Sequence, residues 1–326
     1  MKKRYLAAIL GGALVVVLGV TLAGAVPAFS KKKVHKLKPA DGPAVEVLDS
    51  IRIPWGFKTS ELSGLAWDQD EQLLYAVSDL GHIIHFRVEV SDDKIAALEE
   101  VYYGPLELTV GQETFHDAED LVAINGTNGK TGDSEIAVVL EDGPAAARFT
   151  AKGQLIETIP LPAPLLDRAS YRQVNQRLES IALTSDHGFI IGPQTPLKGE
   201  SRKRHTLYAT DGTQWRYKAV KKHRTSTKSL EQMPDGSLIV IEALNDGGFL
   251  GMIGLGGKEA HIRRLDLAAC ENRRKCPVID YQTSTGDPIR GRFEGIANIK
   301  DDLFLMVTDE TFGAELMLVK IPPIER

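Results

Sequence analysis

Carboxylates recur at matched places along this 326-residue chain, and their spacing points to chemistry shared between distant segments. Glu119, Glu179 and Glu294, together with Ser63, occupy one column of a repeated motif; the steps between them are 56, 60 and 115 residues, the last close to two periods. Asp79, Glu141, Glu242 and Asp309 end the apolar runs that follow and form a second acidic column. Carboxylates gathered from several repeats repel one another. They either bind a hard cation such as Ca²⁺ or keep protons at raised pKa. Glu119, Glu179 and Glu294 are therefore the candidate metal ligands, with Glu119 also a candidate catalytic acid or base. His116, beside Asp117 and Glu119, is the histidine embedded in an acidic motif and a second candidate base or ligand. The alternative is structural: each acid caps a strand or accepts hydrogen bonds from neighbouring backbone.

Arginines supply the opposite charge. Arg177 and Arg292 each stand two residues before a column glutamate, in Arg177-Leu-Glu179 and Arg292-Phe-Glu294. Alternation sends residues two apart to the same face, so each pair is expected to meet, either as a salt bridge between repeats or as a fork that holds phosphate or carboxylate. Between residues 198 and 228, ten Lys or Arg stand against only Glu200 and Asp211, in a chain of net charge −5. Such a stripe attracts a polyanion or protects an exposed sheet edge. It lacks the aromatic spacing of a nucleic-acid platform, so the expected partner is an anionic small molecule and not nucleic acid.

The elements that must position these residues are short strands. Glu61-Leu-Ser-Gly-Leu-Ala-Trp67 is followed by Leu73-Leu-Tyr-Ala-Val-Ser-Asp79, and Phe293-Glu-Gly-Ile-Ala297 by Leu303-Phe-Leu-Met-Val-Thr-Asp309. Weaker copies begin at Ala118 and Leu178 and run from 230 to 242, with Asp-Gly and Asn-Asp-Gly-Gly turns between them. One small sheet cannot cover both its faces, so the copies should pack radially into a closed ring. The chain is thus expected to be an all-β propeller of five four-stranded blades, with room for a sixth between residues 244 and 290. The alternating segment 44–53 is placed to complete the last blade. Helical periodicity is scarce, and residues 165–178 read as a lid or connecting loop.

The motifs Ser63-Gly-Leu-Ala-Trp-Asp68, Tyr75-Ala-Val-Ser-Asp79, Asp117-Ala-Glu-Asp-Leu121, Glu179-Ser-Ile-Ala182, Met233-Pro-Asp-Gly236, Ile239-Val-Ile-Glu242, Ile262-Arg-Arg-Leu-Asp266 and Phe293-Glu-Gly-Ile-Ala297 together resemble the phytase-like family, also described as having esterase-like activity. The resemblance implies a β-propeller and a phosphoester or ester hydrolase. It adds Arg148, in Ala147-Arg-Phe149, as a third substrate-binding candidate beside Arg177 and Arg292. The sequence departs from the family's commoner pattern at Asp120, where glycine usually follows the glutamate, and at Pro193-Gln194, where an acid is expected. No Gly-x-Ser-x-Gly elbow, His-Glu-x-x-His zinc motif or phosphate-binding Gly-rich loop occurs. The reading is a metal-assisted hydrolase, against a non-catalytic propeller that binds a ligand or an envelope partner.

Lys2, Lys3 and Arg4 precede an uncharged apolar run over residues 5–26, long enough to span a bilayer and followed by a plausible cleavage point. Residues 1–28 read as a signal peptide or membrane anchor, 29–43 as a basic linker, and 44–326 as the propeller. An extracytoplasmic location follows, periplasmic or secreted, with membrane contact through the first segment if it stays attached. Cys270 and Cys276 are the two cysteines; an oxidising compartment would let them close a small disulfide, and they lack the further ligands a structural zinc needs.

Overall fold

The computed structural model describes residues 43–53, 61–107, 109–110, 113–114, 116–220, 225–244, 259–270, 275–286, 289–309 and 313–323. The predicted leader and nearly all of the predicted linker lie outside the described residues. Among the described residues no helix is long and apolar enough to cross a membrane.

Apolar runs punctuated by turn residues fold as antiparallel strands, and successive strands pair into blades. A leading strand, β1 (Ala44–Arg52), precedes the first blade, which comprises β2 (Leu62–Asp68), β3 (Leu73–Ser78), β4 (His82–Ser91) and β5 (Lys94–Pro105). A small hairpin, β6 (Thr109–Val110) and β7 (Glu113–Thr114), leads to the second blade: β8 (His116–Ile124), β9 (Glu135–Asp142), β10 (Ala145–Thr150) and β11 (Leu155–Thr158). Single turns of α-helix (α1, Ala163–Leu166) and 3-10 helix (Arg168–Ser170) connect to the third: β12 (Leu178–Thr184), β13 (Gly188–Pro193), β14 (Arg204–Ala209) and β15 (Gln214–Lys218). The fourth blade is β16 (Thr225–Gln232), β17 (Leu238–Leu244), β18 (Glu259–Leu265) and β19 (Val278–Asp280). Two short strands, β20 (Gln282–Thr283) and β21 (Ile289–Arg290), precede the fifth: β22 (Phe293–Lys300), β23 (Leu303–Thr308) and β24 (Glu315–Lys320).

The chain is a five-bladed propeller. Its first strands, β2, β8, β12, β16 and β22, pack in sequence around the axis, and β22 returns to β2. The seam is closed as expected: β1 runs antiparallel to β24, with Glu46 opposite Lys320 and Arg52 opposite Glu315. The segment allowed for a sixth blade does other work. Within it β18 and β19 finish the fourth blade, β20 pairs in parallel with β1, and β21 pairs with β18.

Alternation along each strand sends side chains to opposite faces, so every blade contributes to two interfaces. In β3, Leu74 and Ala76 pack toward the fifth blade while Tyr75 and Val77 pack toward the second. The five apolar clusters built this way occupy the five interfaces of the ring.

Each inner strand bulges at the same level. The pairing register shifts between Leu62 and Gly64, Ala118 and Asp120, Leu178 and Ser180, Thr227 and Ser229, and Phe293 and Gly295. The extra residues are Ser63, Glu119, Glu179, Lys228 and Glu294. Immediately after the bulge the backbones nearly touch: a Cβ on Gly64 would lie 2.7 Å from the Cα of Asp120, and one on Gly295 would lie 2.9 Å from the Leu65 nitrogen. Asp120, where the resembled family commonly has glycine, is fully buried and reaches the third and fourth blades. Its carboxylate accepts from the Ile181 N–H at 3.1 Å, the Ser229 hydroxyl at 3.1 Å and the Leu230 N–H at 3.3 Å. Asp120→Ala would leave these donors buried without an acceptor, so urea unfolding should show a loss of about 3 kcal/mol or more. Asp120→Asn keeps an acceptor oxygen and should lose distinctly less.

Candidate active site at the bulged end of the axis

The bulges bring one side chain from every blade to one mouth of the ring. Four belong to the column expected from the sequence. The fifth is Lys228, which the basic stretch 198–228 had concealed. Its ammonium, only 12% exposed, sits 2.7 Å from Glu294 Oε2 and also hydrogen-bonds Glu179 Oε1. Burial alone would lower the Lys228 pKa, but Glu179, Glu294 and Glu119 hold it well above its ordinary value.

The residues that follow the second strands complete the mouth. Pairing of Leu62 with Ser78, Ala118 with Leu140, Leu178 with Pro193, Thr227 with Glu242 and Phe293 with Thr308 aligns Asp79, Glu141, Gln194, Ala243 and Asp309. Ser63 donates to Asp79, and the Gln194 amide donates to both oxygens of Glu179 at 2.8 Å. Gln194, standing where an acid was expected, thus satisfies the glutamate beside it.

Glu119 lies at the centre of the remaining negative charge. Its carboxylate gathers with those of Glu141 and Glu179, and separately with those of Asp79 and Asp117; in each trio the ligand oxygens lie within 4.8 Å of one another. Burial, then repulsion from Glu179 and Asp79, raises Glu119 well above the usual carboxylate range. Burial pushes Asp79 up to about 8 despite the Ser63 hydrogen bond, with Asp117, Asp309 and Glu294 adding repulsion. Burial and Glu179 push Glu141 up to about 8, opposed by the Arg177 N–H. Hard oxygen donors at this density fit a hard cation, and the acidic cluster can hold a metal.

A family model described as "Phytase-like: Esterase-like activity of phytase" matches residues 58–312. The chain belongs to the phytase-like family. No curated protein matches it. Among solved structures it is similar to one provisionally assigned as a gluconolactonase, at 12% identity and TM-score 0.43, over 85% of this chain and 94% of that one. It is also similar to the β-propeller domain of Cps50 (Swd1) from Myceliophthora thermophila, at 10% identity and TM-score 0.37, over 88% and 98% of the two chains.

Several expected site residues of this phytase-like propeller stand elsewhere. Glu294 is paired with Lys228 and belongs to neither acidic trio; of the expected metal ligands Glu119, Glu179 and Glu294, the first two share one trio with Glu141. Glu242 falls one residue short of the second column: it pairs with Thr227 as Thr308 pairs with Phe293, so Ala243 stands where Asp309 does. Glu242 is fully buried between the third and fourth blades, where His205 and Arg263 outweigh burial and hold it at about 2. Arg177 does not meet Glu179, since the bulge breaks the alternation. Its guanidinium instead donates to the Glu141 carbonyl at 3.2 Å and to Asp142 at 3.4 Å, clamping the second blade to the third. Arg292 pairs with Asp309 at 2.8 Å and not with Glu294. Arg148 sits on β10, its guanidinium held by Glu135 and Glu157, which removes it from the anion-binding set. The His116 side chain lies outside the described residues. Arg292 alone of the three arginines reaches a pocket at this mouth, about 240 Å³ and shared with Lys228, Gln194, Asn175 and Glu294. Cys270 and Cys276 form the expected disulfide.

The raised carboxylates have a consequence for stability. In the unfolded chain such groups titrate near pH 4, whereas burial holds Asp79 and Glu141 near 8 and, against Lys228, Glu294 near 7. Between those limits the folded protein binds more protons than the unfolded one. Stability should therefore fall as pH rises through the folded values. Thermal melts in chelator should show a falling midpoint from pH 5 to pH 8, and Ca²⁺ should restore the midpoint at the upper end, where the cation replaces the protons. A midpoint that stays flat in chelator would contradict the assignment of these acids.

Proposed function

We propose that this phytase-like protein is an exported hydrolase of phosphate esters or related esters, assisted by a hard divalent cation, with Ca²⁺ the first to test. The observation that carries the reading is the position of Glu119 within ligand distance of two separate acidic pairs. Glu119 with Glu141 and Glu179, or with Asp79 and Asp117, would hold the ion. A bound cation supplies charge stabilisation at the ester oxygen and lowers the pKa of an attacking water. Arg292 and the Asn175 amide line the adjoining pocket and offer donors to an anionic group. Whichever of Asp79 and Glu141 the ion leaves unligated would be the candidate to accept or give a proton, starting from a cation-free value near 8 that the ion would lower. The basic, then apolar, leader supports export, and the Cys270–Cys276 bridge is compatible with an oxidising compartment.

A binding propeller without catalysis is the second reading. It draws support from Lys228 and Gln194, which between them satisfy Glu179 as a structural network would. Assays of the purified protein on phytate and p-nitrophenyl esters, with Ca²⁺ and with chelator, separate the two. Hydrolysis should require Ca²⁺ and fall by about 100-fold or more in Glu119→Ala, as loss of a metal ligand implies. Chelation that lowers the melting temperature without any substrate being hydrolysed would favour binding alone.

A further inference from the structure

The other end of the axis holds a second cavity, of about 880 Å³, formed where the inner strands finish and turn back. Asp120, together with the close approach of the strands at Gly64 and Gly295, separates it from the acidic mouth. All five blades contribute. Ala66, Val122, Leu183, Met233 and Ile299 give it aliphatic walls, with Lys300 and Asp301 at the edge. The volume lies within the range of small-molecule sites.

One residue in this cavity departs from the pattern of the ring. Three positions after the bulge, the inner strands carry Ala66, Val122, Ala182 and Ala297, but β16 carries Glu231. Glu231 lines the cavity, and one of its oxygens accepts the Asn298 N–H at 3.2 Å. That is its one hydrogen bond among the described residues, and no ion pair is formed there. The other oxygen is free for a ligand. Burial raises the group to about 8, opposed only by that N–H.

Much of the rest of the lining is polar, with Thr184, Ser185 and Gln232 among it. A half-buried carboxylate beside aliphatic walls is costly unless a proton or a cation meets it. Anionic ligands would gain no partner in this carboxyl, which keeps its proton at neutral pH unless a cation meets it. A hard metal ion needs several oxygens close together, and among the described residues Glu231 belongs to no acidic trio. An apolar molecule would leave the carboxyl without a second partner. A ligand with both an ammonium group and a hydrocarbon body answers both features of the cavity. We propose that this cavity is a binding site for a small amphipathic amine, its ammonium on Glu231 and its apolar part against the aliphatic walls. Trp67 lines the same cavity, its indole N–H tied to Gln69 at 3.0 Å, and offers a further surface to the ligand.

Isothermal titration of the full chain at pH 7 with hexylamine, 1-hexanol and hexanoate tests this independently of any hydrolase activity. Hexylamine should bind at least about tenfold more tightly than hexanol, and hexanoate should be the weakest, in keeping with a charge-paired site. Titrations in buffers of different ionisation heat should show release of about one proton per amine bound, because Glu231 gives up its proton to pair with the ammonium. Glu231→Gln keeps an acceptor for Asn298, so it should fold as the parent does while losing both the amine preference and the proton release. Glu119→Ala alters the opposite mouth and should leave amine binding unchanged. Equal affinity for hexylamine and hexanol, absence of amine binding, or amine binding that survives Glu231→Gln in a folded protein would overturn the proposal.

Discussion

The close approach of five inner strands around the axis governs the rest of the molecule. At the level after the bulges there is no room for a side chain on Gly64 or Gly295, and the one large side chain present, Asp120, lies across the axis with its oxygens satisfied by the third and fourth blades. A regular strand could not pass this point and still direct a long polar side chain into the mouth above. Each strand resolves the conflict with one extra residue, which re-aims a side chain at the cost of local pairing. The same constraint that gathers Ser63, Glu119, Glu179, Lys228 and Glu294 also divides the axis into two separate cavities.

Charge then divides the bulged mouth in two. On one side Lys228 lies between Glu179 and Glu294, an internal cation whose burial is tolerable because both partners are held in place. Buried ion pairs of this kind contribute less to net stability than to fixing one arrangement of groups, since desolvation offsets much of the attraction. On the other side Asp79, Asp117, Glu119 and Glu141 are crowded together, and burial with mutual repulsion drives three of them, Asp79, Glu119 and Glu141, upward in pKa. Such a site can take up protons or a cation, and the proposed hydrolysis and the alternative of ligand binding would both draw on that property.

Much of this was legible in the sequence because it depends on period and composition. The repeat exposed the blades, residues 44–53 announced the closing strand, and Ser63, Glu119, Glu179 and Glu294 already stood in one column. What escaped was whatever a single inserted residue controls. Alternation places Arg177 with Glu179, but the bulge changes the parity and the arginine becomes a clamp between blades. Glu242 comes one position earlier than Asp309 does, so Ala243 takes the column position. Lys228 was readable in principle, since Lys228-Ser-Leu repeats the bulge, small residue and aliphatic order of Glu179-Ser-Ile, and it divides the long 115-residue step into 49 and 66. Its place at the end of a basic run made it look like a solvated edge. Glu231 was missed for a related reason, as a charged residue in an alternating strand ordinarily faces solvent.

The account stands or falls on how charge is divided between the two sides of the bulged mouth. The direct test is a crystal structure of the protein grown with Ca²⁺, with anomalous scattering used to locate the ion. Density for an ion coordinated by Glu119 and either Glu141 with Glu179 or Asp79 with Asp117, with the Lys228 ammonium still between Glu179 and Glu294, is the predicted result. An ion between Glu179 and Glu294 with Lys228 displaced, or no ion at Glu119 at a Ca²⁺ concentration that raises the melting temperature, would contradict it.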